Sequence, residues 1–173
     1  HGAKVEGQVV KFDRKLVEQC LSKVPAQYCW KARNENHTRI LGDGYLVQPA
    51  AGAVKVHDLD GHIREGTLDD YANFQKIYQS GEIYDLVGMI SVEPRDVNQQ
   101  VKHLLMMYEI LKHTNKPVNG FMTTGDQARA QLDMMELAVG GKTEFENHHY
   151  MAVSIGVTTP LTYSWDPVET LIQ

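Results

Sequence analysis

The hydrophobic pattern changes character near residue 84, and from there short apolar runs alternate with longer stretches of helical period. Tyr84–Ile90 predicts a strand, followed by the loop Ser91-Val92-Glu93-Pro94. A helix is predicted from about Val97 to Lys112, where Val101, Leu104, Leu105, Tyr108 and Leu111 recur at the spacing of one buried face. Pro117–Met122 predicts a second strand. Its helix opens at Thr124, with Gln127 three residues later as a capping box. Gly140-Gly141 suits the left-handed residue that closes such a helix. Tyr150–Val157 predicts a third strand, and Asp166-Pro167 forms an N-cap and N1 pair for a last helix.

Strands alternating with helices call for a parallel sheet with right-handed crossovers. About three βα units are too few to close a barrel, which needs about eight. The expected fold class is therefore α/β, a partial (β/α)8 TIM barrel preceded by an α+β cap segment, with residues 1–83 as cap and lead-in and 84–173 as the first βα units. In the cap, Lys4–Val10 alternates like an edge strand. Asp13 caps a short helix carrying Leu16, Val17, Cys20 and Leu21 on one face, ending before Pro25. Tyr28–Asn34 and Thr38–Leu41 predict a strand pair joined by the polar turn Asn34–His37. Tyr45–Asp58 predicts extended chain broken at Pro49–Gly52. Thr67-Leu68-Asp69-Asp70 opens a helix to about Gln79, closed near Gly81.

Composition alters this picture little. With 42% hydrophobic and 23% charged residues, the 173-residue chain is ordinary for a globular domain. No apolar run reaches the roughly 20 residues of a membrane span. The net charge of −5 and the scattered lysines and arginines argue against nucleic acid as a partner. The start lacks both an initiator Met and a signal-peptide core, so a processed, tagged or excised cytoplasmic chain is expected. Cys20 and Cys29 match no metal or redox spacing and are expected to be reduced thiols.

In open α/β sheets and barrels, ligands sit beyond the C-terminal ends of the strands. That rim comprises Ser91, Glu93, Thr123, Thr124 and the run Gly156 to Thr159, Thr158 included. Glu93 is read either as a catalytic carboxylate or as a solvated loop charge, the second being favoured. Tyr163 and Trp165 follow the third strand, where aromatic faces could hold a quaternary ammonium; packing at the helix start is the favoured alternative. Trp30 and Tyr45 are further aromatic candidates. Met106-Met107 and Met134-Met135 read as core filler. Asp58-Leu59-Asp60-Gly61 has the look of a calcium loop but lacks the later glutamate, and a structural turn is favoured. His148-His149 lie before a strand, and His103 and His113 are too far apart for one site, so no metal is expected. Phosphate-loop, dinucleotide and nucleophile-elbow motifs are absent from the sequence.

Four segments in one order carry a family resemblance: Lys31-Ala32-Arg33-Asn34-Glu35-Asn36, Gly42-Asp43-Gly44, Arg64–Asp70 and Thr159-Pro160-Leu161-Thr162-Tyr163. Together they resemble the trimethylamine methyltransferase family of trimethylamine–corrinoid protein Co-methyltransferases. Glu35 stands where the family pattern has proline, and Thr159 where it has serine. The resemblance covers essentially the whole chain from Gly2. It implies a TIM barrel of which this chain holds the N-terminal portion, less than half. It also implies methyl transfer from a methylated amine, trimethylamine or a quaternary amine such as glycine betaine, to the cobalt of a separate corrinoid protein. No cofactor would be held tightly; the corrinoid comes with the partner. The pyrrolysine of some members would lie beyond Gln173, so catalytic residues stay unassigned, and Thr159–Tyr163 carries over as rim. The rival expectation is a non-catalytic α/β binding domain or an inactive fragment. A partial barrel exposes strand edges, so a homo-oligomer is also expected.

Overall fold

The computed structural model describes residues 2–42, 44–156 and 158–172. The N-terminal residues form a hairpin rather than one edge strand: β1 (Lys4–Glu6) pairs antiparallel with β2 (Val9–Lys11). Gly7 sits in the left-handed region at φ 62° and lets the chain reverse there. Helix α1 (Arg14–Leu21) starts where expected, with the Asp13 carboxylate accepting from the Leu16 amide at 2.7 Å. Its apolar face is present but uncovered; Val17, Cys20 and Leu21 are exposed. Strands β3 (Tyr28–Trp30) and β4 (Arg39–Leu41) pair antiparallel across a 3-10 turn at Glu35–His37, which the Asn34 side chain caps. Strands β5 (Lys55–His57) and β6 (Ile63–Glu65) form a further hairpin. At its tip Asp58 Oδ1 accepts from the amides of Asp60 (3.0 Å) and His62 (2.8 Å), so the D-x-D-G segment is a turn built on its own carboxylate.

Helix α2 (Leu68–Ser80) begins with a full capping box between Thr67 and Asp70. Beyond it lie β7 (Val87–Gly88), α3 (Lys102–His113), β8 (Val118–Gly120), α4 (Gly125–Val139), α5 (Lys142–Asn147), β9 (Met151–Val153) and α6 (Trp165–Ile172). The three strands form one parallel sheet in the order β7-β8-β9. The α/β alternation is as expected. The sheet is open, with no closed barrel among the described residues. No described helix is long and apolar enough to cross a membrane.

Several boundaries differ from the sequence expectation: β8 ends at Gly120 instead of Met122, and α6 starts at Trp165, so Asp166-Pro167 lies inside its first turn and not at its cap. Three further differences have local settings. Helix α3 starts at Lys102 instead of Val97, because Asn98 holds the preceding chain in a side-chain turn, accepting from Gln100 N at 2.9 Å. Strand β7 is cut short where Gly88 and Met89 both take positive φ, 95° and 56°. A Cβ on Gly88 would meet the Asn119 carbonyl oxygen at 2.3 Å, so only glycine fits this close approach. Strand β9 ends at Val153, and Val157, the predicted end, lies outside the described residues, as does Asp43 of the Gly42–Gly44 segment.

The core lies between the sheet and one layer of helices. Tyr71 and Tyr78 of α2, Met106, Met107 and Ile110 of α3, and Met135 of α4 pack on Val87, Val118 and Tyr150. The methionine pairs are thus core filler, as expected. Buried polar side chains fix the strand ends to the helices. Tyr71 donates to the Met89 carbonyl (2.9 Å), Gln75 Oε1 accepts from Gly88 N (3.1 Å), and Gln131 Nε2 donates to the Phe121 carbonyl (2.6 Å).

The opposite end of the sheet is met by β3 and the residues that follow it. Lys31 N donates to the His149 carbonyl at 2.8 Å and Trp30 Nε1 to the Tyr150 carbonyl at 3.3 Å. Arg33 reaches the C-terminal carbonyls of α3, donating to Leu111 at 2.5 Å and to Thr114. Burial lowers the Arg33 pKa below its usual value. The Lys31–Asn36 segment and Trp30 therefore belong to the floor, away from the rim.

Candidate functional site

The C-terminal ends of β7, β8 and β9 open into a cavity of about 480 Å³. Met89, Ile90, Gly120, Phe121, Met122, Thr123 and Ser154 line it from the strand ends, and Gln127 from α4. Its remaining wall has two sources. One is an extended arm, residues 47–53, which runs beside β7 through bonds from Asp85 N to the Val47 carbonyl (2.9 Å), Gly52 N to Ile90 (2.8 Å) and Glu93 N to Ala53 (2.8 Å). Ala51 and Gly52 of this arm face the cavity. The other is the start of α3, which contributes Lys102 and His103, with Gln99 just before it.

The rim residues chosen from sequence divide into those the cavity gathers and those it does not. Thr123 lines it, with its amide and hydroxyl donating to Gln127 Oε1 at 3.2 and 3.0 Å. That contact also shows where the reciprocal half of the predicted capping box goes: Gln127 reaches Thr123 rather than Thr124. Thr124 itself is the N-cap of α4, accepting from Gln127 N at 3.3 Å. Gly156 lines an adjoining cavity of about 340 Å³ that shares Met122, Thr123 and Ser154 with the first. Glu93 does not project into either space; its half-buried carboxylate is ion-paired with Lys102. Ser91 is buried and turned toward α2, accepting from Gln75 Nε2 at 3.4 Å. Thr158 and Thr162 pair across a tight turn containing the cis Thr159–Pro160 bond. Thr158, Thr159, Tyr163 and Trp165 are all exposed and outside both linings.

The side chains that sequence reasoning missed are Lys102 and His103. Their place follows from the true start of α3, and the one available signal was Asn98, a residue that favours side-chain turns over helix. Lys102 Nζ donates to Glu93 and to Gln99 Oε1 (2.9 Å). His103 Nδ1 is buried with no hydrogen-bond partner, and burial lowers the His103 pKa below its usual value, favouring the neutral ring. No carboxylate lines the main cavity among the described residues. The surface is thus apolar at the strand ends, with one ammonium and one neutral imidazole on its α3 side. Such a surface can enclose a methylated, weakly hydrated group and exclude water, and it offers donors to an anionic one.

Comparison with known proteins places this sequence in a family. The model of the family described as Trimethylamine methyltransferase (MTTB) matches residues 1–173. The glycine betaine methyltransferase of Desulfitobacterium hafniense (strain Y51) is 34% identical over 163 residues, covering 94% of this chain and 34% of that protein. The L-carnitine:corrinoid methyltransferase of Eubacterium limosum is 26% identical over 68% of this chain and 24% of its own length. The proline betaine:corrinoid methyltransferase of the same organism is 24% identical over 99% of this chain and 37% of its own length. The chain therefore spans about a third of the length of the first of these relatives. With the family model matched from end to end, the chain belongs to the trimethylamine methyltransferase family.

Proposed function

We propose that this chain is part of a methyltransferase that passes a methyl group from a methylated amine to the cobalt of a partner corrinoid protein. In the same reading its parallel βα units are the first of a (β/α)8 barrel. The observation that carries the proposal is the cavity at the ends of β7–β9, apolar at the strand ends and with no carboxylate in its lining among the described residues. A reduced corrinoid supplies the nucleophile for the methyl carbon. When the C–N bond of a quaternary amine breaks, its electron pair stays on nitrogen and a neutral tertiary amine departs. No proton need be delivered, so a site without a general acid suffices. Met89, Ile90, Phe121 and Met122 would then surround the methylated nitrogen, exclude water and hold one C–N bond toward the open side. The relatives' names support this chemistry: they act on glycine betaine, carnitine and proline betaine, and two are named for the corrinoid.

The test uses the native gene product containing this chain, mixed with a reduced corrinoid protein and each of glycine betaine, carnitine, proline betaine and trimethylamine. The expected result is conversion of the corrinoid spectrum to the methylated form with release of the demethylated amine. Absence of methylation with every amine, by folded protein, would rule the proposal out.

A further inference from the structure

We propose that Lys102 determines the specificity of this cavity: its ammonium, with His103 beside it, binds the carboxylate of a zwitterionic quaternary amine. The site would thereby select a betaine over amines that lack an acid group. This rests on the functional reading above and adds to it the part of the substrate that is recognised.

Among the described residues Lys102 is the one cationic side chain lining the cavity. An ammonium has three protons to donate. Glu93 and Gln99 accept two of them, and the third has no acceptor among the described residues. The Lys102 side chain is only 20% exposed, so the head group is held in place at the wall. Charge balance points the same way. The Lys102–Glu93 pair is neutral, and a zwitterion adds no net charge to it. Its carboxylate takes the free donor while its methylated nitrogen lies over Met89 and Phe121. A simple quaternary cation brings one uncompensated positive charge into a wall that already holds Lys102, and Glu93, the nearby carboxylate, is engaged.

His103 supplies the second donor. Its Nδ1 is buried without a partner, and a buried N–H with no acceptor is costly, so the proton of the neutral ring belongs on Nε2. Both residues line the same cavity, which offers a carboxylate there a donor from each.

Binding is measured by isothermal titration calorimetry on the native gene product, with glycine betaine and tetramethylammonium as probes that differ only in the acid group. Wild type should prefer glycine betaine by about tenfold or more. Lys102→Met should abolish or reverse that preference, weakening glycine betaine and, by removing the ammonium and freeing Glu93, strengthening tetramethylammonium, and His103→Phe should reduce it. Because Lys102→Met strands Glu93, the double variant Glu93→Gln/Lys102→Met is the companion, and it should show the same collapse. Lys102→Arg should retain most of the preference. Equal wild-type affinity for both probes, or variants that weaken both equally, overturns the assignment. Methyl transfer from glycine betaine without a Lys102-dependent preference would remove the subsite and leave the function standing. Carboxylate-selective binding without corrinoid methylation would do the reverse.

Discussion

At Lys116 a single side chain decides how α2 ends. It precedes β8, is 3% exposed, and its ammonium donates to the carbonyls of Tyr78 (2.8 Å), Gly81 (2.9 Å) and Tyr84 (2.7 Å). These belong to the last turn of α2 and the loop after it, where carbonyls have no helical partner. Burial, and then the positive charge of Arg39, lower the Lys116 pKa, while Asp85 opposes the shift. A methionine at this position has similar length and no donor. Lys116→Met should therefore leave the Tyr78 and Tyr84 carbonyls without this donor, Gly81 keeping the Tyr84 amide, and lower stability by about 2–4 kcal/mol, measured by urea unfolding. A loss below about 1 kcal/mol would mean that water replaces the ammonium without penalty. The same end of the sheet holds Arg33, so one of the segments that carry the family resemblance contributes to stability, at the end opposite the proposed site.

Among the elements, α2 has the start most exposed to pH. The Arg64 guanidinium holds the Asp70 carboxyl well below the usual carboxylate range, with further help from the Thr67 hydroxyl and amide. A depressed carboxyl pKa stabilises the fold above the unfolded value, near pH 4, and the contribution is lost as pH falls below it. Asp70→Asn keeps the shape and removes the charge. It should cost about 1–2 kcal/mol near neutral pH, with the gap to wild type narrowing below about pH 4. A gap that stayed constant down to about pH 2 would show that the charge is not what stabilises the helix start. This cap was legible in the sequence, as were Asp13, Thr124 and Gly140, because a cap is chosen by residues within one turn of it. Strand lengths were not: β7 stops at the positive φ of Gly88 and Met89, a kink held by Tyr71 and Gln75 from α2. Helix α5 was invisible because Lys142–Asn147 offers Phe145 alone as an apolar residue. The site was half legible for the same reason. Position along the chain put Thr123 and Gly156 near the strand ends, but Ser91 and Glu93 turn away through contacts made with distant residues and with the displaced start of α3.

With the molecule taken whole, apolar side chains of two elements stand exposed among the described residues. One is the N-terminal unit, where Val5, Phe12, Val17 and Leu21 are exposed; the other is α6, where Trp165, Leu171 and Ile172 are exposed although the helix packs on α4. Contiguous apolar surface of this kind favours association in water. The two faces separate the proposals for the chain. If the βα units continue as a barrel, the next unit would cover the edge of β9 and the outer side of α6, leaving the N-terminal face as it is. The isolated 173-residue chain should then self-associate in a concentration-dependent way by sedimentation velocity, and Leu171→Ser/Ile172→Ser should shift it toward the 19.5 kDa monomer. The same pair in the native gene product should instead destabilise the fold by about 2 kcal/mol or more, since there the side chains would be buried. A surface-like response in both proteins would mean that α6 stays at the periphery. It would favour the self-associating α/β domain over the barrel, because a barrel helix between two neighbours cannot accept two serines in its packed face without cost.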